Sequence, residues 1–247
     1  MNARRRGVSL VELMVALMLG TLVVALCATT VVAQRRAEHT IGKDARNAAA
    51  ADEAVRVLAA VLERVATADS VWLRGDTAIE VRATVGVAVA CAASGDSLMV
   101  PDTGLAAWWE TSPDSGDAVE ITTPTGDVVA YGVVAVRART AGACAGPQRM
   151  IRVTGSIGAP GPTLARVLRR TRFMLYRASD GNSWFGERTC SYAAPVACQS
   201  AQPIAGPLAA APAGLHVAID SSSGMRVVRI SASVASIVRA TAVALKP

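Results

Sequence analysis

The apolar and polar positions divide the chain into an apolar N-terminal segment, an amphipathic helical segment and a long β-patterned remainder. Residues 13–33 contain no charged side chain, and an α-helix of that length spans about 30 Å, the thickness of a bilayer core. The basic residues Arg4, Arg5 and Arg6 precede it. By the positive-inside rule, they keep the N-terminus in the cytoplasm and send the rest of the chain across the membrane.

After the membrane segment, apolar residues recur at three- and four-residue steps, as on one face of an α-helix. These residues are Ile41, Ala45, Ala48, Ala51, Val55, Leu58, Leu62 and Val65. The pattern predicts one helix from Val8 to about Thr67, in which residues 8–33 span the membrane and residues 34–67 form an amphipathic continuation. Because a globular helix is rarely this long, the second half is expected to pack on a domain.

Residues 68–247 carry the alternation of half-buried β-strands, most clearly from Ile79 to Val89. Further strand-like runs are 97–100, 118–123, 128–137, 149–154, 167–177, 215–219 and 225–234. Short turn sequences separate them and favour antiparallel pairing, whereas the segment 199–214, rich in Pro, Ala and Gly, is predicted to be a loop. The sequence therefore predicts an α+β fold, a long helix packed on an antiparallel β-rich domain.

Composition and charge exclude several functional classes. Hydrophobic residues make up 52% of the chain and charged residues 18%, so the chain is too apolar to be disordered. The two histidines, His39 and His216, are too few for a multi-histidine metal centre. The three N-terminal arginines carry half of the net charge of +6, so the remainder is not a strongly cationic domain.

The junction between the basic leader and the apolar segment allows more than one interpretation. A cleaved secretory signal would use the Val-Val-Ala sequence at 31–33 as its cleavage site. A lipoprotein signal would use Cys27, but Leu26 precedes it where a small residue is needed. Neither interpretation explains why Glu12 lies five residues after Gly7, inside the apolar run.

Residues 7–13 read Gly-Val-Ser-Leu-Val-Glu-Leu, which resembles the class III signal of type IV prepilins and type II secretion pseudopilins. In that family, prepilin peptidase cleaves after the Gly and N-methylates the new first residue, and the apolar segment is retained as a helix. The resemblance implies a leader of residues 1–7, cleavage between Gly7 and Val8, and methylation of Val8. Val8 departs from the Phe that is commonest at this position.

Glu12 also has a physical explanation. A carboxylate in a membrane-spanning helix costs about 3 kcal/mol at mid-bilayer and less near the helix end. Cleavage after Gly7 would create a partner for Glu12, the cationic amine of Val8. Four helical residues rise by about 6 Å, so the amine of the same or an adjacent subunit could reach the carboxylate. The alternative is an interfacial carboxylate that reaches water without a partner.

The C-terminal half carries a weaker resemblance, to minor pilins of the PilW type and the J-type pseudopilin of type II secretion. It rests on a strand ending in Tyr176-Arg177, the turn at 180–181, and a Gly-Pro-Leu segment at 206–208 that leads into 214–217. Together with the large exported region 68–247, it favours a minor subunit without enzymatic activity or cofactor. The alternative is an exported binding protein or hydrolase with a cleaved secretory signal.

The resemblance implies a single-pass protein of the bacterial inner membrane, with a periplasmic C-terminal domain, that assembles into or primes a filament. Its expected partners are prepilin peptidase, other pilin or pseudopilin subunits, the inner-membrane assembly platform and membrane lipid. Several filament systems share this N-terminus, so the sequence does not distinguish a type IV pilus from a type II secretion or competence system.

The exported region contains four cysteines, an even number in an oxidising compartment. Three pairings are possible for Cys91, Cys144, Cys190 and Cys198. Proximity favours Cys190–Cys198 and leaves Cys91–Cys144. Cys27 is expected to be a small apolar filler in the membrane segment. The absence of a Cys-x-x-Cys spacing disfavours a zinc site.

Two short motifs look like sites. Residues 95–98 spell the Gly-Asp-Ser-Leu block of an esterase family, but Ala213 stands three residues before His216 where that family has an aspartate. Without an activating base, Ser97 is expected to be inert. The Arg-Gly-Asp tripeptide at 74–76 is expected to be a turn.

A basic cluster is expected to be solvated on a strand, or to contact DNA or an acidic partner. Its members are Arg166, Arg169, Arg170 and Arg172. Few aromatic side chains lie beside it for base stacking, so DNA is an unsupported partner. Asp114 and Asp117 are considered as weak calcium ligands, but two carboxylates are too few to define a site.

Overall fold

The computed structural model describes residues 10–65, 70–123, 126–158, 163–192, 196–222 and 225–245. One helix, α1 (Leu10–Glu63), is followed by strands. These strands are β1 (Val71–Leu73), β2 (Ala78–Ala90), β3 (Ala92–Ser94), β4 (Ser97–Pro101), β5 (Ala107–Trp109), β6 (Ala118–Thr122), β7 (Val128–Arg139), β8 (Gln148–Val153), β9 (Thr163–Arg177), β10 (Ser183–Cys190), β11 (Gln202–Leu208), β12 (Leu215–Ser222), β13 (Met225–Val234) and β14 (Ile237–Leu245). A long apolar N-terminal helix followed by an antiparallel β-rich domain confirms the predicted α+β, pilin-like fold.

The chain divides into two units, residues 1–46 and residues 47–247. The first contains the apolar part of α1, whose side chains are exposed. Within the described residues, α1 is the one helix long and apolar enough to cross a membrane. The predicted helix limits, Val8 and Thr67, both lie outside the described residues.

The second unit begins with the C-terminal part of α1. There the predicted apolar stripe is buried at Ala51, Val55, Leu58 and Leu62, and Ala54 extends it. Ala51, Leu58 and Leu62 are at most 1% exposed. Burial of this face stabilises the helix more than its intrinsic propensity does. The earlier stripe residues Ile41 and Ala45, in the first unit, are exposed.

Two long strands, β2 and β9, organise the larger sheet. They pair antiparallel from Ala78 opposite Met174 to Ala90 opposite Thr163. The other edge of β9 pairs first with β6 and then with β10. Among the described residues the sheet has eleven strands, and its longest path is β1-β2-β9-β6-β7-β8-β4-β3. A smaller sheet, β12-β13-β14, is also antiparallel.

The buried residues form two apolar clusters. The first joins α1 to β1, β2, β9, β10, β11 and the smaller sheet, and contains the stacked rings of Phe173 and Phe185, 6.1 Å apart. The second lies between the other strands of the larger sheet. The β2–β9 register shifts between Thr84 and Gly86, close to the change from one cluster to the other. Gly86 is required because a Cβ there would lie 2.0 Å from the Trp109 ring.

The prediction that residues 199–214 form a loop is partly wrong, because β11 lies within them. This strand contains Pro203 and Pro207 and, within the described residues, pairs only with β10. Proline lacks the amide hydrogen of a ladder and is tolerated on an edge strand. Strands β10 and β14 were also not predicted from the alternation pattern.

Candidate assembly helix and sheet surfaces

The predicted processing site, Gly7 and Val8, lies outside the described residues. Glu12 lies in the first turn of α1 as described, with its side chain exposed. The apolar side chains that follow it are also exposed, from Leu13 to Val32. An apolar surface of this extent marks contact with lipid or with other apolar helices.

The hydroxyl groups of this segment are satisfied within the helix. Thr21 donates to the Met18 carbonyl at 2.9 Å, and Thr29 and Thr30 both donate to the Leu26 carbonyl. Such back-bonding removes the need for water, which lowers the cost of placing threonine in hydrocarbon. The segment is therefore suited to anchor the chain in a membrane.

Four cysteines form two disulfides in the second unit. Cys91, between β2 and β3, joins Cys144, and their Cα atoms are 5.3 Å apart. Cys190, at the end of β10, joins Cys198. These are the pairs that proximity in the sequence favours. Cys27 is a free, exposed cysteine on α1.

Non-reducing peptide mapping of the full chain is expected to find the Cys91–Cys144 and Cys190–Cys198 peptides, with Cys27 free. Replacing Cys91 and Cys144 by serine should lower the free energy of unfolding by about 4 kcal/mol, because the unfolded chain regains a long loop's entropy. The same change at Cys190 and Cys198 should cost about 2.5 kcal/mol. Free thiols at all four positions would overturn the pairing.

The two short motifs have structural roles. Ser97, the first residue of β4, donates a hydrogen bond to Asp96 at 2.9 Å. Arg152 donates to the same carboxylate at 2.8 and 3.0 Å. The hydrogen bonds from Arg152 and then Ser97 lower the pKa of Asp96. His216 lies in β12 of the smaller sheet, whereas Ser97 lies in the larger one.

The Arg-Gly-Asp tripeptide forms the turn between β1 and β2, as the sequence indicates. Gly75 has φ +92°, a conformation that favours glycine. Arg74 is held by Glu80 through a hydrogen-bonded ion pair of 3.0 Å. The tripeptide is therefore explained by the turn and this ion pair.

Asp117, considered from the sequence as a calcium ligand, pairs with an arginine. Its two carboxylate oxygens each accept a hydrogen bond of 2.9 Å from Arg169, and the amide of Asp114 donates to one of them at 2.8 Å. The hydrogen bonds to Asp117 raise the pKa of Arg169. Within the described residues, no group of three or more potential metal-ligating side chains occurs.

Glu80 is the most heavily paired carboxylate of the described residues and is only 1% exposed. Arg74, Arg170 and Arg172 approach it at 3.0, 2.6 and 2.8 Å. Burial would raise the pKa of Glu80, but the hydrogen bonds from these arginines outweigh burial and lower the pKa to about 2. The carboxylate therefore stays ionised at neutral pH.

The basic cluster predicted from the sequence does not form one patch. Arg169 points toward Asp117 on the face of β9 that carries the core, whereas Arg166, Arg170 and Arg172 alternate onto the opposite face. The strand register places Arg82 beside Arg170 and Arg188 beside Arg172, on the same face of the sheet. Sequence reasoning missed both, because Arg82 meets Arg170 only through the long-range pairing of β2 with β9, and Arg188 meets Arg172 only through the pairing of β10 with β9.

A cleft of about 820 Å³ opens on the core face, beside the end of α1. Its lining combines apolar residues such as Val61 and Phe173 with Arg169, Glu187 and Thr189. The ion pair of Arg64 with Glu110, 2.9 Å long, also borders it. The chemistry of the cleft is mixed, without a nucleophile paired to a base.

The fold is α+β, and its exposed apolar helix is consistent with membrane anchoring. Residues 2–28 match the family model of the prokaryotic N-terminal methylation motif, a range that includes Gly7, Val8 and Glu12. This segment therefore carries the N-terminal motif of type IV prepilin-like proteins, and the motif implies processing by prepilin peptidase and interaction with pilin subunits in general. No curated protein and no solved structure matches the chain.

Proposed function

We propose that the chain is a minor pilin or pseudopilin subunit that assembles into, or primes, a type IV pilus or a type II secretion pseudopilus. The observation that carries this proposal is the methylation motif placed at the start of an exposed apolar helix. The large second unit of residues 47–247 and its C-terminal resemblance to PilW-type and J-type subunits support a minor rather than a major subunit.

In this mechanism, the chain spans the bacterial inner membrane once, with its β domain in the periplasm. Prepilin peptidase cleaves between Gly7 and Val8 at the cytoplasmic face and methylates the Val8 amine. The assembly platform then moves α1 from lipid into a bundle of neighbouring helices. The exposed apolar side chains exchange lipid for helix contacts, so their burial costs no desolvation of polar groups. The function is assembly and not catalysis.

Intact mass measurement of the mature chain tests this proposal against a cleaved secretory signal. The pilin function predicts an N-methylated Val8 as the first residue. A secretory signal predicts Gln34, which would remove the whole apolar part of α1. A mature protein that begins at Gln34 would reject the proposal.

Replacing Gly7 with leucine should block cleavage, since the peptidase site would carry a bulky side chain next to the scissile bond. The expected product is an uncut, unmethylated precursor in the membrane fraction, seen as a mass increase over the mature chain. Gly20→Leu is the matched control, because a Cβ at Gly20 meets no atom within 4 Å. Normal processing of Gly7→Leu would contradict the assigned cleavage site.

A further inference from the structure

The face of the larger sheet opposite the two apolar clusters, called here the outer face, carries two cross-strand rows of arginine. In one row, Arg82 of β2 lies directly opposite Arg170 of β9. In the next row, Arg172 of β9 lies between Glu80 of β2 and Arg188 of β10. Arg82, Arg170, Arg172 and Arg188 are named the arginine rows. Like charges directly opposite each other destabilise a sheet.

The cations of the outer face exceed its carboxylates. Glu80 is shared among Arg74, Arg170 and Arg172, and Glu120 lies 3.9 Å from Arg166. Arg82 and Arg188 form no ion pair within the described part of the chain. The Nε atoms of both are buried and have no hydrogen-bond partner among the described residues. A buried donor without a partner is costly, and the positive charge of both guanidinium groups has no carboxylate beside it among the described residues.

Arg82 is also held in position. Its guanidinium carbon lies 4.7 Å from the centre of the Trp72 ring and 5.0 Å from that of Tyr192. Tyr192 belongs to the loop that the Cys190–Cys198 disulfide closes, and its amide donates to the Gly116 carbonyl. Aromatic contacts fix a cation without neutralising it. The positive charge therefore remains available at a defined place.

An exposed apolar patch lies at the other end of the outer face. Val89, Leu164 and Val128 follow one another across β2, β9 and β7, with Thr122 of β6 in register between the last two. They expose 42%, 46% and 60% of their surface. Trp108, opposite Val87 in the adjacent row, is 56% exposed and also borders the cleft on the core face. These four apolar residues are named the apolar end.

We infer that the outer face binds an acidic segment of another protein, with carboxylates on the arginine rows and an apolar side chain on the apolar end. Charge complementarity selects an acidic partner, and an exposed tryptophan beside aliphatic residues is typical of an interface anchor. The inference concerns the β domain and does not depend on which filament the chain joins.

The burial of the arginine side chains favours a polypeptide over a nucleic acid as the binding partner. The side chains of Arg170 and Arg172 are only 13% and 21% exposed. The phosphates of a nucleic-acid duplex would therefore not contact them closely. A single Glu or Asp side chain can enter between neighbouring side chains, and Glu80 shows that these guanidinium groups accommodate a carboxylate. The rings of Trp72 and Tyr192 already contact Arg82, which leaves them less available for base stacking.

The test uses the full chain in detergent micelles and fluorescence anisotropy of labelled probes. One probe is a run of glutamates joined to Leu-Trp-Leu, and others are the same peptide with glutamines, the glutamate run alone, and a single-stranded oligonucleotide of equal charge. The glutamate peptide with Leu-Trp-Leu should bind most tightly. Its affinity should fall as salt rises, and the glutamine version should bind weakly or not at all.

Variants of the unpaired arginines locate the binding site. Arg82→Gln combined with Arg188→Gln should weaken the glutamate peptides about tenfold or more, since close interfacial charge pairs are lost. Replacing both by lysine should retain much of the affinity, and thermal unfolding should show that the variants are folded. The matched control is Arg137→Gln with Arg139→Gln, an equal charge change at two exposed positions of β7. Trp108→Ser should weaken only the peptide that carries Leu-Trp-Leu.

Three results would overturn the inference. One is no binding of either glutamate peptide by the wild-type chain. Another is an equal loss of affinity in the Arg137 and Arg139 control, which would indicate non-specific charge attraction. The third is tighter binding of the oligonucleotide than of the peptides, lost on changing Arg82 and Arg188, which would make the outer face a nucleic-acid surface.

Discussion

Replacing Glu80 with alanine should lower the free energy of unfolding of the β domain by about 3–5 kcal/mol, because removing one partner leaves buried charges uncompensated. Arg74, Arg170 and Arg172 would lose their common carboxylate. These three charges would then lie near those of Arg82 and Arg188 without the Glu80 carboxylate to balance them. Urea unfolding of the full chain in micelles, followed by tryptophan fluorescence, measures the change.

The same carboxylate predicts a dependence of stability on pH. In the folded chain the pKa of Glu80 is lowered to about 2, whereas an unfolded glutamate titrates near roughly 4.3. The stabilisation is therefore present above the unfolded pKa and is lost as the pH falls through about 2. The loss amounts to about 3 kcal/mol over this window. Glu80→Gln should abolish this part of the pH dependence.

Asp96→Asn is the matched control for Glu80, because Asp96 also pairs with an arginine but is exposed. An exposed ion pair contributes little to stability, so this variant should unfold close to the wild type. Wild-type stability of Glu80→Ala would show that the arginines find other partners. An unchanged acid transition in Glu80→Gln would assign the pH dependence to other carboxylates.

The elements predicted correctly from the sequence are those with strong local patterns. The uncharged run at 13–33 and the stripe from Ala51 to Leu62 indicate α1, and alternation indicates β2. Strand β14 is not recognised from the sequence because three of its outward positions are alanine, Ala240, Ala242 and Ala244, and Ala has low β propensity. Strand β11 contains two prolines, and only its pairing with β10 explains them.

The candidate sites likewise divide into those that a local sequence pattern reveals and those that depend on strand pairing. The processing motif is contiguous, so residues 7–13 are sufficient to recognise it. The arginine rows depend on register, because Arg82 meets Arg170 and Arg188 meets Arg172 only when β2, β9 and β10 are aligned. A one-residue slip would place every side chain on the other face. No local pattern contains that information.

Glu12→Ala should leave membrane insertion intact, because loss of a charge makes the segment more apolar. Cleavage should also continue, since Gly7 and the leader arginines are unchanged. Assembly should fall by two to three orders of magnitude, because the Val8 amine would enter an apolar helix bundle without its counter-charge at a cost of about 3–5 kcal/mol. Co-purification with partner subunits, and incorporation into filaments, measure the loss.

Two further variants separate pairing from other effects. Glu12→Asp should be intermediate, because the shorter side chain reaches less far toward the amine. Glu38→Ala, at an exposed position later on α1, removes the same charge outside the apolar segment and should assemble normally. If Glu12 instead reaches water without a partner, Glu12→Ala should co-purify at the wild-type level. That result would remove the pairing role, whereas a loss confined to Glu12 would assign the contact with Val8.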